Sequence, residues 1–198
     1  MARNKAFCEV DTLCQAADVF WQKGYHATSI QDLVTELGIN RASLYSTYGG
    51  KQQLFIQAME SYQRTNKEAI DRLFTQAPTA KAGLLSFFQQ AIDQTLSDRE
   101  RKGCLVVNAT TELAHEDPQL QKVVDHNRVL LIKALTDLLE RGKREGSVKP
   151  NAPTTELAYL IYTFYSGMRV VGKICQQPSY WQTQVNLLKQ LVLVDPQQ

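Results

Sequence analysis

The sequence predicts an all-helical protein of about nine helices, with a three-helix head followed by a larger helical body. Three observations carry this expectation. From Leu13 onward, apolar residues recur at the i, i+3, i+4, i+7 spacing of amphipathic helices. Each run is bounded by capping residues or by glycine and proline. No run alternates convincingly with the period of two that a half-buried strand requires. With 198 residues, 43% of them apolar, the chain can bury one large core or two smaller ones.

The first helix carries Leu13, Ala16, Ala17, Phe20 and Trp21 on one stripe and stops at Gly24. Next, Thr28 with Gln31, or Ser29 with Asp32, can form a capping box ahead of Ile30, Leu33, Val34 and Leu37. This second helix, about nine residues long, ends at Gly38. Asn40 can cap a short third helix holding Arg41 to Tyr45, and Gly49-Gly50 breaks it. A long fourth helix starts near Lys51 and buries Leu54, Phe55, Ala58, Met59, Tyr62, Ile70, Leu73 and Phe74 before Pro78. Further helices are expected at about 80–97, 104–115, 117–144, 154–175 and 179–193, separated by polar, glycine- or proline-bearing segments.

Composition excludes several classes. Ten glycines and six prolines are too few for a collagen-like repeat or a long disordered linker. The strongly apolar stretch Leu157 to Tyr165 is far shorter than the roughly 20 residues that span a bilayer. The N-terminus has no apolar run behind its two basic residues, so a cytoplasmic protein is expected. Four scattered cysteines and three histidines stand in no metal spacing, and no motif asks for a cofactor. The nucleophile-elbow and dinucleotide glycine patterns are missing, and Gly50-Lys51 lacks both the earlier glycine and the following Ser or Thr of a phosphate-binding loop. An enzyme is therefore not expected.

Two short helices joined by a turn at Gly38 match the helix-turn-helix pattern, whose second helix enters the DNA major groove. The candidate reading helix, Asn40 to Tyr48, surrounds one apolar residue, Leu44, with short polar and aromatic groups able to reach base edges and phosphates. The whole chain carries a net charge of only +2, but no acidic side chain lies between Glu36 and Glu60, where Arg41 and Lys51 both stand. The local field therefore favours a phosphate backbone.

The segment Gly24 to Val34, then Leu37 to Lys51 and Leu54-Phe55, closely resembles the N-terminal domain of the TetR/AcrR family of bacterial regulators over about residues 10–62. The resemblance implies a DNA-binding head (1–50), a linking helix (51–78) and an effector-binding, dimerising body (79–198). It further implies a homodimer that binds a palindromic double-stranded DNA operator, most often as a repressor, and that a small-molecule effector releases. By position, Thr28 would cap the second helix and touch phosphate. Arg41, Ala42, Ser43 and Tyr45 would face the groove, and Tyr48 and Lys51 would grip the backbone. Ser29, Asn40 and Ser46 complete the candidate DNA-binding set, and Leu44 is core. Where the family often carries a basic residue before Leu13, this chain has Glu9 and Asp11, which leaves Arg3 and Lys5 as substitutes.

Within the body, the pattern Gly103 to Ala109, Thr111-Glu112-Leu113 and Asp117-Pro118 resembles one branch of the family. The effector pocket is expected among the helices holding Phe87, Phe88, Ile92, Val107, Thr110, Thr111, Asn127, Tyr162, Tyr165, Met168 and Arg169. Arg169 would meet an anionic ligand, a partner subunit or a carboxylate such as Glu112. Cys104, behind the basic run Arg99, Arg101 and Lys102, reads either as a small buried hydrophobe or, with Lys173 and Cys175, as an oxidant- or electrophile-sensing thiol. Leu157, Leu160, Ile161, Phe164 and Met168, with Trp181, Val185, Leu188 and Leu191, give two apolar stripes expected to pack against their symmetry mates in a four-helix bundle. A helical ligand carrier without DNA binding is the rival class, and it leaves the polar reading helix without a purpose.

Overall fold

In the computed structural model, which describes residues 9–113 and 115–194, the chain forms nine α-helices among the described residues. They are α1 (Glu9–Lys23), α2 (Ile30–Leu37), α3 (Arg41–Tyr48), α4 (Lys51–Gln76), α5 (Ala80–Ser97), α6 (Leu105–Leu113), α7 (Pro118–Arg144), α8 (Thr154–Val171) and α9 (Pro178–Val192). The nearest approach to a strand there is one isolated antiparallel bridge, Val148 to Leu193. Helix count and order follow the sequence reading. The clearest difference is the end of α8, four residues short of the expected boundary. At Gly172 a Cβ would stand 2.3 Å from Thr95 Cγ2 and 2.7 Å from the Met168 carbonyl oxygen, so a side chain there has no room. Arg3, Lys5 and Cys8 lie outside the described residues.

The chain groups into two compact units. One holds the sequence up to Asn66 together with Cys104–Asp125, and the other holds Lys67–Gly103 with everything from His126 on. The sequence-drawn division differs in two places: it assigns 104–125 to the body, and it keeps 51–78 as one linking helix, which the units divide after Asn66. Physical contacts explain the grouping: the Gln63 amide donates to the buried Val123 carbonyl at 2.7 Å, and Glu112 binds the turn after α1.

The core of the first unit is built on Phe20, Leu33, Leu44, Leu54, Phe55 and Met59. Phe55 meets Phe20 edge-on at 5.0 Å and Tyr25 at 5.0 Å, the offset geometry that aromatic quadrupoles favour. In the second unit Phe87, Phe88, Leu135, Leu139, Ile161 and Trp181 are buried together. The corner between α4 and α5 is closed by side chains of α7 and the residue after it. Arg141 donates to the carbonyls of Phe74 at 3.0 Å and Ala77 at 2.9 Å, and Glu145 accepts the Ala80 N–H at 2.7 Å. These contacts satisfy groups that a helix end leaves without partners.

Candidate nucleic-acid interface and sensor core

The α2–α3 pair is fixed by its caps. Ser29 is the N-cap of α2: its hydroxyl accepts the Asp32 N–H at 3.0 Å, and the Asp32 carboxylate accepts the Ser29 N–H at 2.8 Å. Of the two capping boxes the sequence allowed, this is the one formed. The same carboxylate receives Lys23 Nζ at 2.6 Å. Lys23, and after it Ser29, hold Asp32 well below the usual carboxylate range. Gly38 ends α2 in the left-handed region at φ 61°, and Asn40 Oδ1 accepts the Ser43 N–H at 2.8 Å to start α3.

These caps orient α3 so that Leu44, 0% exposed, points into the core while Arg41, Ala42, Tyr45 and Ser46 point to solvent, with Tyr45 45% exposed. Ser43 is half-buried. The Arg41 guanidinium lies 5.9 Å from the Tyr45 ring centroid, and a Cβ on Gly50 would stand 3.3 Å from that ring. Lys51 sits over the Tyr25 ring at 4.5 Å and donates to the His26 carbonyl at 3.4 Å. Partial burial lowers its pKa.

Two expected contacts are corrected. Thr28 is 1% exposed and does not cap α2, a place that Ser29 takes; its hydroxyl donates to the Gly24 carbonyl at 2.6 Å, tying the turn together. Tyr48 is 3% exposed and packs within the core rather than gripping a backbone, because it follows Leu44 by one helical turn on the same face.

Sequence reasoning missed the role of Glu112. Its carboxylate takes the backbone N–H groups of Tyr25 at 3.0 Å and His26 at 2.7 Å, and the His26 ring meets Glu116 at 2.9 Å. Burial, followed by the fields of Asp117, Glu116 and Glu112, raises the Tyr25 pKa. Because Glu112 is occupied there, the suggested Arg169–Glu112 pair is also corrected. Arg169 instead lies in the second unit against Thr95 and the Gly103 carbonyl.

The expected pocket residues divide between the units: Val107 and Thr111 belong to the first, and Phe88, Ile92, Asn127, Tyr162, Tyr165 and Arg169 to the second. Phe88 and Ile92 are buried core. Ile92 also lines a cleft of about 310 Å³ between α5 and α9, whose rim carries Ser86, Gln89, Gln182 and Lys189. Asn127 borders a hollow of only about 20 Å³ between α4 and α7. Cys104 is a free thiol, 6% exposed, packed with Leu105, Val106 and Ala109. Lys173 lies against Gly103, where an added Cβ would stand 2.5 Å from Lys173 Cε.

Of the predicted dimer stripe, Leu160 and Leu191 are exposed, and the other residues are wholly or partly covered by the chain itself. Ile161, Met168, Trp181, Val185 and Leu188 are buried within the single chain, and Leu157 and Phe164 are packed half-buried against them. The exposed apolar residues are Tyr159, Leu160 and Val170 of α8, Ile174 just beyond it, and Tyr180, Leu187 and Leu191 of α9. Among the described residues, no cluster of three or more His, Cys, Asp or Glu could hold a metal ion, and no helix is long and apolar enough to cross a membrane.

A capped helix-turn-helix presenting a polar outer face, joined to a helical body, defines a DNA-binding transcriptional regulator. The chain belongs to the TetR family: residues 13–58 match the model of bacterial regulatory proteins of the tetR family, and residues 80–188 match the tetracyclin repressor-like C-terminal domain. The chain is 32% identical over 160 residues to the uncharacterized HTH-type transcriptional regulator YezE of Bacillus subtilis, covering 81% of each chain. It is 25% identical over 172 residues to the HTH-type transcriptional repressor ComR of Escherichia coli, covering 86% of this chain and 82% of that one. Among solved structures, reduced E. coli NemR superposes with a TM-score of 0.86 at 16% identity, covering 94% of this chain and 98% of that one. A cysteine mutant of the TetR family regulator CifR, complexed with 26bp double-strand operator DNA, gives a TM-score of 0.81 at 26% identity, covering 95% and 98%.

Proposed function

We propose that this regulator is a cytoplasmic, non-enzymatic repressor that binds a palindromic operator as a homodimer and leaves it when a small-molecule effector binds the second unit. The observation that carries the reading is the division of α3: Leu44 and Tyr48 are inside, while Arg41, Ala42, Tyr45 and Ser46 are outside on a helix capped at both ends. Arg41 is the group suited to a guanine edge or a phosphate, Tyr45 and Ser46 supply hydroxyl donors, and Ala42 can meet a thymine methyl. Ser29, Asn40 and Ser43, exposed or half-exposed at the two helix starts, lie where backbone contacts position a reading helix. Half-sites about one helical turn of DNA apart then require two protomers.

The likeness to CifR, solved with its operator DNA, supports the DNA-bound form, and the likeness to the repressor ComR supports the sign of regulation. The test is selection of bound sequences from random DNA by the purified full chain. The expected result is enrichment of a palindrome; no enrichment, or a monomer at micromolar concentration, overturns the reading.

A second reading, oxidant or electrophile release through Cys104, is favoured by the position of that free thiol at the start of α6. If Cys104→Ser still leaves the operator on treatment with hypochlorite or a quinone, that reading fails.

A further inference from the structure

Helix α8 is largely apolar, yet one stripe of it carries Tyr162, Tyr165, Ser166 and Arg169, spaced i, i+3, i+4 and i+7. The stripe meets α5: the Tyr165 ring lies 5.2 Å from that of Phe87, and Arg169 reaches Thr95. Arg169 is 7% exposed, so its guanidinium has left water.

The replacements for that water are poor. One Nη stands 3.5 Å from Thr95 Oγ1 and the other 3.4 Å from the Gly103 carbonyl, both at the far limit of hydrogen bonding. The Nε–H is shielded from solvent and has no partner among the described residues. No Asp or Glu pairs with the guanidinium among those residues. Asp98, in the adjoining loop, accepts the Gly103 N–H at 2.7 Å instead. Ser166 Oγ, on the same stripe, is likewise enclosed and unpartnered there. A buried lysine could shed its proton, but arginine keeps its charge at any physiological pH. A buried cation without a counter-charge is strongly unfavourable; the Tyr165 ring, whose centroid lies 5.9 Å from the guanidinium carbon, relieves part of that cost, and an anion would relieve the rest.

Resting on the effector-responsive reading above, we infer that the effector is an organic acid whose carboxylate is received by Arg169. The planar fork of arginine matches a carboxylate through paired N–H donors, here Nε and the neighbouring Nη, with the Ser166 hydroxyl as a further donor. The aromatic faces of Phe87 and Tyr165 set the acid's preference for an apolar body. A seated carboxylate competes for the guanidinium with Thr95 and with the Gly103 carbonyl. Gly103, at φ 73°, packs directly on α8, where an added Cβ would stand 2.8 Å from the Arg169 carbonyl oxygen. It is also the residue from which the chain enters the 104–125 segment, so the acid acts on the covalent lead-in to α6. Two states with different contacts to the ligand are what population shift requires.

The experiment uses the full-length protein at matched ionic strength, with sodium benzoate and sodium hexanoate as probes and benzamide and hexanamide as their uncharged counterparts. Thermal unfolding of wild type and Arg169→Met is followed with each, and so is retention of operator DNA by wild type. At least one acid is expected to raise the wild-type Tm saturably and weaken operator retention at least five-fold, while its amide does neither. Arg169→Met alone should melt at or above the acid-free wild type and should respond to neither acid. The inference is overturned if Arg169→Met melts lower or fails to fold, because Arg169 is then a satisfied structural group. It is overturned equally if the acids act alike on both proteins, or if neither acid moves the wild type up to tens of millimolar. Wild-type retention of operator without acid separates the two levels: its loss refutes the repressor reading, whereas its persistence alongside any of these outcomes refutes the anion inference alone.

Discussion

Glu112 on α6 holds the backbone of His26: its carboxylate accepts the His26 N–H at 2.7 Å and, through its other oxygen, the Tyr25 N–H at 3.0 Å. One side chain thereby satisfies two adjacent amides of the turn that separates α1 from the reading pair. Gly24 makes the approach possible, since a Cβ there would stand 3.1 Å from the same carboxylate. The second contact, His26 to Glu116 at 2.9 Å, is more exposed and contributes less.

Glu112→Ala leaves both amides to water or to nothing, and should destabilise the chain by about 1–3 kcal/mol, read as a shift in urea midpoint at constant slope. Glu112→Gln keeps one acceptor oxygen and should cost less. Operator affinity should fall in the Ala variant although no residue of α3 has changed. An unaltered midpoint would show that water replaces the carboxylate without loss.

Arg41→Ala and Tyr45→Ala remove exposed side chains, so both variants should melt with wild type while specific operator binding weakens by about 1–3 kcal/mol each. Lys51→Ala should weaken binding to every DNA sequence and reduce the salt slope by about one. Its contacts with the Tyr25 ring and the His26 carbonyl add a stability loss that Arg41→Ala does not show. Mobility shifts at several salt concentrations separate the two behaviours; equal loss of sequence preference in all three would overturn the placement of Lys51 on the backbone.

The caps and the helices were legible because they are local. Ser29 with Asp32, Asn40 with Ser43, and the glycines after α2 and α3 interact within a few residues of one another. Tyr48 was legible too, four residues after Leu44 and hence on the buried face, but the polar run around it pointed outward. Glu112 could not be read this way, since its partners lie 86 and 87 residues away. The faces of α8 and α9 failed for another reason. Both helices are apolar on two sides, so periodicity located the stripes without saying which one the chain itself covers. The same ambiguity put buried Ile161 and Val185 in the same stripes as exposed Leu160 and Leu191, and left out exposed Leu187.

Acid should find Asp32 early. Lys23 and Ser29 depress its folded pKa below the unfolded value, near 3.9. Its contribution is therefore complete above the unfolded value and is lost as pH falls toward the folded one. Glu145, lowered first by the Ala80 N–H and then by Arg141, behaves the same way. Thermal melts from about pH 7 down to about pH 3 should show wild type losing stability below about pH 5 more steeply than Asp32→Asn, with the gap between them closing. A gap that stays constant down the acid limb would mean that the carboxylate's charge has no part in the cap.

The corrected faces of α8 and α9 separate assembly from folding. Leu187 is 52% and Leu191 56% exposed, one turn apart on α9, and Leu160 of α8 is 42% exposed. An apolar surface of this kind is what an isologous helical interface buries, so Leu187→Glu combined with Leu191→Glu places two charges where two protomers would meet while removing nothing from the core. The double variant should sediment as a folded monomer with wild-type helicity and should lose operator affinity, because each half-site is then bound alone. Ile161→Ala removes fully buried atoms instead, and should cost about 2–5 kcal/mol of stability while any surviving folded protein remains dimeric. The opposite pattern, with dimers surviving the charges on α9 and dissociating in Ile161→Ala, would restore the inner stripe as the interface and require the second unit to open on association.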